Sequence, residues 1–396
     1  MLPRHIEAAS ATQAGGFAPN PDYLLFDDLV LRDVLAREHR TLFDVIRAVT
    51  GAANVHDLRD LLVGVLADTA VRRDILREVA TQEALIGGCL SDTDHSWLQD
   101  VSPRQCALSL LTGARPDGTS LLKWPMPNLL FARDCLAVVG ETVVVMRPKH
   151  PARSRDGVIA RAIGRHAPLF SEASLLDVAP LGDSEATVEG GDVLVVSDRL
   201  VLVGVGIRTN AAGARALALG LAAQGVEVLA VRLPKKRAAM HLDTLFTFVD
   251  RDLSLAFMPV LSTSARTEGA LEVFDPTTGT TIGYDLAAAL AAHGHPTQLV
   301  ACGDGERYAA IREQWTDGAN AFCLAPGCIV LYGRNRKTLL ALTRVGFDVT
   351  SPDEFIRNAE LWLRDGRRRV VALDGFELSR GRGGPRCLTL PLRRGA

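Results

Sequence analysis

A repeated unit of strand, turn, strand, helix and strand is the feature that most constrains the fold of this 396-residue chain. Two apolar runs flank Ser197–Asp198 within Val193–Val205, and an Ala/Leu-rich helix and the strand Gly225–Val228 follow them. A second copy has apolar runs on either side of Pro326–Gly327, then a helix and Gly346–Val349. Repeated units that bury a face against each other predict a propeller-like or barrel-like α/β assembly. Two βαβ units of a doubly wound sheet have the same pattern and are the alternative.

A fainter copy of the unit runs from residue 131 to residue 166, with a hairpin predicted over Leu136–Met146. Ahead of it, residues 31–112 have apolar side chains at three- and four-residue spacing with charges between them, which is typical of amphipathic helices. Asp68 is a candidate cap of one of these helices. We therefore predict a single α/β domain over residues 1–396, with an all-helical insertion at 31–112.

Charge and cysteine content exclude several classes of protein. With 44 Lys+Arg against 46 Asp+Glu, the net charge of −2 argues against a nucleic-acid binder that works by bulk electrostatics. The seven cysteines include no CxxC pair, which argues against a zinc knuckle, and so long a chain needs no disulfide framework. Neither a secretory signal nor a run of 18 apolar residues is visible, so we predict a reduced, cytoplasmic protein that does not enter a membrane.

Polar residues concentrate in a few short stretches with apolar surroundings: Met126–Asp134, Glu189–Asp192, Met240–Asp250 and Ser379–Cys387. His241 and Asp243 are two residues apart in a β-like run, so we predict both side chains on one face, suited to proton transfer or metal binding. The alternative is the solvated face of a surface strand. The glycines between Glu189 and Asp192 permit close approach of a ligand, although an ordinary turn has the same pattern. Asp134 leads into a predicted strand, where an Asx turn is the alternative.

Cys387 is the distinctive cysteine. It follows a glycine-rich loop that contains Arg380, Arg382 and Arg386. Positive neighbours lower a thiol pKa and favour the nucleophilic thiolate, so we predict a reactive cysteine here. The other six cysteines lie in apolar or helical contexts, which are typical of core residues. A basic tail for nucleic acid or phosphate is the alternative, but interleaved aromatic residues are lacking.

These residue types together point to a substrate with two charged ends. Carboxylates bind a cation, and arginines bind a carboxylate. An amino acid with a cationic side chain has both ends, and arginine fits best. The thiolate then attacks the electrophilic guanidinium carbon, provided that the distant stretches converge in the fold.

At these stretches the chain resembles the arginine deiminases. The matching segments are MPNLLFARD, EGGD followed by GIRTN, MHLDTLFTFVD and SRGRGGPRC, and EQWTDGANAFCLAPG at 313–327 is also similar to the family. The similarity runs from about Tyr23 to the end of the chain. The resemblance implies the pentein fold, an α/β propeller of ββαβ modules around a pseudo-fivefold axis, with an all-helical insertion.

The resemblance also implies roles for residues that take part in the chemistry. Cys387 matches the nucleophile that attacks the guanidinium carbon. His241 matches the general acid and base, and Glu189 matches the carboxylate that orients this histidine. Asp134 and Asp243 match the pair that holds the guanidinium nitrogens.

Further matches concern the rest of the substrate. Asn128, Arg153 and Arg208 match groups that bind the α-carboxylate end, Phe131 matches a side chain that lines the pocket, and Arg382 matches a mobile gate. The cationic substrate helps to stabilise the thiolate, so the thiol need not be ionised in the free enzyme. The resemblance implies no metal or organic cofactor. The expected partners are L-arginine or a related guanidino compound and water, and a homo-oligomer stays open.

The chain departs from the family pattern in two places. Family members usually open with a strand ahead of the LLFDD segment (Leu24–Asp28), and we expect one module to be incomplete because that strand is absent here. Ala132 and Cys135 replace the Thr and Pro that are common around Asp134, which makes Cys135 an alternative nucleophile. We favour hydrolysis of free L-arginine to citrulline and ammonia. A guanidine-modifying enzyme that acts on a modified arginine or transfers the amidino group, and a non-catalytic arginine-binding protein of this fold, are the alternatives.

Overall fold

The repeated unit forms a series of small, separate β-sheets. The computed structural model describes residues 25–26, 28–181, 185–262 and 271–394. In the first unit a β-hairpin is followed by a helix, and a strand then returns parallel to the second strand of the hairpin. Its elements are β1 (Leu136–Val139), β2 (Thr142–Val145), the helix Ser154–His166 and β3 (Ser174–Asp177).

The second and third units repeat this order and are linked by an inserted hairpin. The second unit has β4 (Val193–Val195), β5 (Leu200–Val205), the helix Ala211–Ala222 and β6 (Glu227–Arg232). The third has β7 (Phe246–Phe248), β8 (Leu253–Ala256), the short helix Met258–Leu261, the inserted hairpin of β9 (Glu272–Phe274) and β10 (Thr281–Gly283), the helix Leu286–Ala292 and β11 (Gln298–Ala301). Because β9 pairs with β6, the insertion extends the sheet of the second unit to five strands. The third unit was not predicted from the sequence.

The fourth unit follows the helix Arg307–Trp315 and contains a second crossover. Its elements are β12 (Phe322–Ala325), β13 (Cys328–Tyr332), the helix Arg336–Arg344, β14 (Asp348–Thr350), the helix Pro352–Trp362 and β15 (Arg369–Leu373). The strand order is β12-β13-β15-β14, so β15 lies between β13 and β14 and runs parallel to both.

The three hairpins predicted from the sequence are confirmed, and the reason is visible in the first of them. Val138 pairs with Val143 across β1 and β2, and every residue of both strands is buried. Strands buried on both faces are continuous apolar runs rich in β-branched residues. Gly140 adopts a positive φ of 55° in the connecting turn, a conformation that glycine adopts at little cost.

Residues 31–112 are helical, but their helices pack on two different units. The helices are Arg32–Thr50, Leu58–Val65, Thr69–Leu85, Asp92–Asp100 and Pro103–Thr112. Leu35 and Leu42 of the first helix share a core with Phe355 of the fourth unit. The later helices share a core with Ile159 of the first unit. Asp68 accepts hydrogen bonds from two backbone N–H groups at the start of its helix, which confirms the predicted cap.

All seven cysteines are free. Cys89 is exposed, so the prediction that the six cysteines other than Cys387 are core residues is wrong for this one. Cys323 is half-buried, and the remaining ones are buried.

Two further expectations concern the ends of the chain and membranes. We expected the strand ahead of Leu24–Asp28 to be absent. The residues ahead of Leu24 lie outside the described part of the chain, so this expectation stays a prediction. Within the described ranges, none of the helices is both long enough and apolar enough to span a bilayer.

Candidate active site

The predicted site residues occupy equivalent positions in the repeated units. Asp134 lies just ahead of β1, Glu189 ahead of β4 and Asp243 ahead of β7. Cys387 follows β15 near the end of the chain, in a segment that packs against these lead-in turns. The units therefore bring their lead-in turns together, and distant stretches of sequence converge on one site.

The prediction that His241 and Asp243 lie in a β-like run is wrong. His241 has an extended backbone, but Leu242–Thr244 form a single 3-10 turn. The turn directs the His241 side chain to Glu189 and the Asp243 side chain to Cys387. The two residues consequently contact different parts of the site instead of sharing one strand face.

His241 is buried and bonded to a carboxylate. Its Nε2 lies 2.8 Å from Glu189 Oε2, and its Nδ1 lies 3.8 Å from Asp134 Oδ1. Burial acts to lower the pKa of His241, but Asp134 and Glu189 outweigh it and raise this pKa to about 9. His241 therefore carries a proton at neutral pH, which suits a group that protonates a departing amine.

Glu189 is held in its ionised form. Its Oε2 lies 3.3 Å from Arg208 Nη1, and its Oε1 accepts a hydrogen bond of 3.1 Å from the backbone N–H of Lys149. Burial favours the neutral acid, yet Arg208 and His241 hold the pKa of Glu189 well below its usual range. A permanent carboxylate at this position fixes the orientation of the His241 ring.

Asp134 and Asp243 each have one paired and one unpaired oxygen. Asp134 Oδ2 lies 2.5 Å from Arg153 Nη1, and Asp243 Oδ2 lies 2.6 Å from Arg386 Nη1. The Oδ1 atom of each is buried without a hydrogen-bond partner among the described residues. Because unpaired buried carboxylate oxygens are costly, a ligand that supplies N–H donors to both is favoured here.

Cys387 lies beside these carboxylates. Its Sγ is 3.7 Å from Asp243 Oδ2 and 3.5 Å from Asn320 Oδ1, and its backbone N–H donates to Asn320 Oδ1 at 3.3 Å. Burial, with Asp243 and Asp134, raises the pKa of Cys387 well above its usual value. The thiol is therefore protonated at neutral pH in this structure.

The prediction that three neighbouring arginines lower the thiol pKa is wrong, since two of them point elsewhere. Arg380 pairs with Asp28, and Arg382 donates to the backbone carbonyl of Trp315. Arg386 acts to lower the pKa of Cys387, and burial outweighs it.

A cavity of about 20 Å³ lies between these groups. Its wall includes every predicted site residue except Glu189 and Asp243, which stand behind it. This volume holds about one water molecule, so an amino acid enters only if the wall moves.

Arg382 is the wall residue that stacks on an aromatic ring at the surface. Its guanidinium stacks 3.6 Å from the centroid of the half-exposed Trp315 ring, and its backbone φ of 62° is left-handed. Phe131 forms the neighbouring wall, and a Cβ at Gly383 would lie 2.3 Å from its ring. Only glycine at position 383 lets the Arg382 loop lie this close to Phe131.

Arg153 and Arg208, predicted to bind the α-carboxylate end, both line the cavity. In this structure Arg153 pairs with Asp156 at 2.9 Å as well as with Asp134, and Arg208 pairs with Glu189. Arg153 also donates to the backbone carbonyl of Asn128 at 3.2 Å. Substrate binding at these guanidiniums requires that existing ion pairs rearrange, and the assigned roles stay predictions.

Asp134, Glu189 and His241 could also be considered as metal ligands, because one atom of each lies within 4.8 Å of the others. The guanidiniums of Arg153 and Arg208 already contact the two carboxylates. A divalent cation would lie beside both positive groups, which is electrostatically unfavourable. We interpret the triad as a proton-transfer group.

The family model for arginine deiminase matches residues 22–394, nearly the whole chain. The chain belongs to the arginine deiminase family. The arginine deiminase of Limosilactobacillus fermentum is 30% identical over 94% of this chain and 92% of its own length. Among solved structures, unliganded AgrE has a TM-score of 0.44 at 18% identity over 67% of this chain, but only 31% of AgrE is covered. DDAH from Pseudomonas aeruginosa complexed with citrulline has a TM-score of 0.43 at 19% identity, over 67% of this chain and 76% of that one.

Asn320 belongs to this candidate site but was not predicted from the sequence. Its Nδ2 donates to the Asp243 carbonyl at 3.1 Å, and its Oδ1 contacts Cys387. It lies just ahead of β12 in the fourth unit, and Asp134 occupies the equivalent position ahead of β1 in the first unit. The repeat itself was therefore the signal that could have identified it.

Asp192 is the second residue whose function was not predicted. Its Oδ2 accepts a hydrogen bond of 2.6 Å from Thr209 Oγ1, and its Oδ1 accepts one of 2.8 Å from the Leu242 N–H. Burial raises its pKa to about 7. Asp192 thus ties the Glu189 turn to the His241 turn. A Cβ at the intervening Gly191 would lie 2.5 Å from His241 Nδ1.

Proposed function

We propose that this protein hydrolyses free L-arginine to L-citrulline and ammonia through a covalent intermediate on Cys387. The observation that carries this proposal is the placement of the Cys387 thiol beside two carboxylates, Asp134 and Asp243, each with a buried and unpaired Oδ1. A guanidinium supplies N–H donors to both atoms and a carbon for the sulfur to attack.

In the first half of the proposed reaction, the bound cation offsets the carboxylates that oppose ionisation of Cys387, and the thiol releases its proton to solvent as arginine binds. The thiolate adds to the guanidinium carbon and forms a C–S bond. His241, protonated at neutral pH, gives its proton to the departing nitrogen. The C–N bond breaks, ammonia leaves, and an S-alkylthiouronium remains on the sulfur.

In the second half, His241 is neutral and acts as a base. It takes a proton from a water molecule, whose oxygen adds to the same carbon. The C–S bond then breaks and returns the electron pair to Cys387, the sulfur takes the remaining hydroxyl proton to restore the thiol, and citrulline is released. Glu189 holds the ring of His241 in one orientation through both halves.

We assign the other end of the substrate to Asn128, Arg153 and Arg208, with Phe131 as a wall and Arg382 as the gate. All five line the cavity. Since the cavity holds about one water molecule, the Arg382 loop must open for arginine to enter. Arg153 and Arg208 exchange a pairing with a site carboxylate for the carboxylate of arginine.

The finer fold assignment belongs to the same proposal. We propose that the four sheets and the C-terminal segment close around a pseudo-fivefold axis as a single catalytic domain over residues 1–396, with 31–112 as a helical insertion. The convergence of the lead-in turns on one site supports this arrangement. A cytoplasmic location and a homo-oligomer are also proposals.

The test is an assay of citrulline and ammonia with L-arginine, run on the unaltered protein and on Cys387→Ala. We expect equal amounts of citrulline and ammonia from the unaltered protein and neither product from the variant. Activity only on N-substituted arginines, or only with an added amine acceptor, would instead assign one of the related guanidine-modifying reactions. Tight arginine binding without ammonia release would contradict any catalytic function.

A further inference from the structure

A group of arginines lies apart from the small cavity, although one of its members is the chain neighbour of Cys387. It consists of Arg133, Arg386 and Arg394, which all line a second and much larger cleft of about 2220 Å³. Neither Arg133 nor Arg394 lines the small cavity. The proposed arginine chemistry therefore makes no use of this arginine cluster as a ligand site.

Arg133 is a buried cation that has no ionic partner among the residues that the structure describes. It is 3% exposed, and no carboxylate of the described residues lies within 4.0 Å of its guanidinium. Its hydrogen bonds are long: Nε donates to the Arg386 carbonyl at 3.4 Å, and Nη2 donates to Thr389 Oγ1 at 3.5 Å. A buried charge left uncompensated in this way is strongly unfavourable.

The neighbouring arginines increase the excess of positive charge. Arg386 donates Nη1 to Asp243 Oδ2 and Nη2 to the Val193 carbonyl at 2.8 Å. Arg394 donates Nη1 to the Val138 carbonyl at 2.5 Å and pairs with no carboxylate in the described part of the chain. Within this cluster, three guanidiniums are set against the single carboxylate of Asp243. Burial and the other two guanidiniums lower the pKa of Arg133 well below its usual range.

We propose that the arginine cluster is a binding site for a tetrahedral oxyanion, either inorganic phosphate or the phosphoryl group of a larger ligand. The fork of N–H donors on a guanidinium matches phosphate oxygens in two-point contacts. The hydroxyl of Thr389 accepts from the same Arg133 guanidinium and lines the cleft beside it. The large cleft admits either the free ion or an organic phosphate.

Occupation of this site links to the catalytic groups through one side chain. Arg386 lines the cleft and also donates to Asp243 Oδ2, next to Cys387. An oxyanion that draws donors from Arg386 weakens its bond to Asp243. Phosphate therefore changes the KM for arginine if the proposed reaction holds, but the binding itself does not depend on that reaction.

The test is equilibrium dialysis of the full-length protein against radiolabelled inorganic phosphate, at constant ionic strength and with saturating citrulline, with AMP as the second probe. We expect one saturable phosphate per chain and a weakening of at least tenfold in Arg133→Gln and in Arg394→Gln. AMP that binds more tightly than phosphate at the same cluster identifies the phosphoryl group of a larger ligand as the natural occupant. Binding of neither probe overturns the proposal.

A matched control distinguishes this site from the arginines of the small cavity. Arg208→Gln removes a guanidinium that the proposed reaction uses, and phosphate affinity is expected to stay within twofold of the unaltered protein. Loss of phosphate binding in Arg208→Gln together with its retention in the Arg133 and Arg394 variants overturns the proposal. If Arg133→Gln does not fold, as judged by circular dichroism, Arg394→Gln decides the result because Arg394 lies at the exposed end of the cluster.

Discussion

Two buried thiols lie next to the charged groups of the site, and they differ in what their sulfur atoms face. Cys387 lines the small cavity beside Asp243. Cys135 is fully buried just ahead of β1, with its Sγ 3.5 Å from Arg153 Nη2, and it does not line the cavity. Burial raises the pKa of both thiols well above the usual value.

Contact with an arginine is therefore not sufficient to make a cysteine reactive. Cys135 has a guanidinium in contact, yet burial outweighs the effect of Arg153 on its pKa. What separates Cys387 is access to the space between unpaired carboxylate oxygens. Under the proposed reaction, a cationic substrate supplies the positive charge in this space.

The largest expected difference is between the alanine variants of these two cysteines. Cys387→Ala removes the proposed nucleophile and should lower citrulline production by about 10⁴-fold or more. Cys135→Ala removes a core sulfur and should leave kcat within about threefold, with a modest loss of thermal stability. Full activity of Cys387→Ala, or a complete loss only in Cys135→Ala, would reverse the assignment.

Glu189→Gln should reduce kcat by about 10³-fold, because it removes both the orientation of His241 and its charge partner. The pKa of His241 is raised to about 9 in part by Glu189, so the fall of kcat/KM at alkaline pH should move to lower pH in the variant. A pH profile of kcat/KM measures the shift. The exposed Glu185→Gln is the matched control, and an unshifted profile in Glu189→Gln contradicts the pairing.

Stability should also depend on pH through His241. Its pKa rises on folding from the ordinary 6.5 to about 9, so the stabilisation is complete below about pH 6.5 and is lost as the pH rises through about 9. We expect the free energy of unfolding to fall by roughly 3 kcal/mol over this range, and by less in Glu189→Gln. Urea denaturation at several pH values measures both. If the free energy of unfolding depends equally on pH in both proteins, Glu189 does not raise the pKa of His241. The buried thiols contribute equally to both proteins, so their effect cancels in this comparison.

The smallest expected effect concerns the gate that closes over Cys387. Trp315→Ala removes the ring on which Arg382 stacks and should change the KM for arginine by about tenfold, as expected for loss of one positioning contact. Trp315→Phe keeps a ring at this position and should restore most of the effect. Cys135 lies away from this wall, so the reactivity of Cys387 toward a bulky alkylating agent should rise in Trp315→Ala while that of Cys135 stays low. If the reactivity of Cys387 is unchanged in Trp315→Ala, Arg382 does not act as a gate.

The sequence was sufficient for the hairpins, whose buried β-branched strands and glycine turns are local properties. Gly140 and Val143 are examples, since their conformation and burial follow from residue type. The third unit was missed because the β9–β10 hairpin interrupts it and its first strand, Phe246–Phe248, is short. Candidate site residues could be named because the motif resemblance gives their positions.

Electrostatics and long-range contacts could not be predicted in the same way. Arg380 and Arg382 are near Cys387 in sequence but pair with Asp28 and Trp315, so their charges do not control its thiol. Asn320 contacts the sulfur from a distant part of the chain. Burial, which dominates the pKa of Cys387, exists only in the folded chain.

A covalent intermediate on Cys387 is tested most directly by mass spectrometry of the protein after rapid acid quenching of its reaction with L-arginine. Trypsin cleaves after Arg386 and Arg393 and releases Cys387 in a short peptide. The account predicts an adduct on that peptide with the mass of arginine less ammonia, absent from Cys387→Ala, and none on the peptide of Cys135. Full citrulline production with no adduct on Cys387, or an adduct on Cys135, would contradict it.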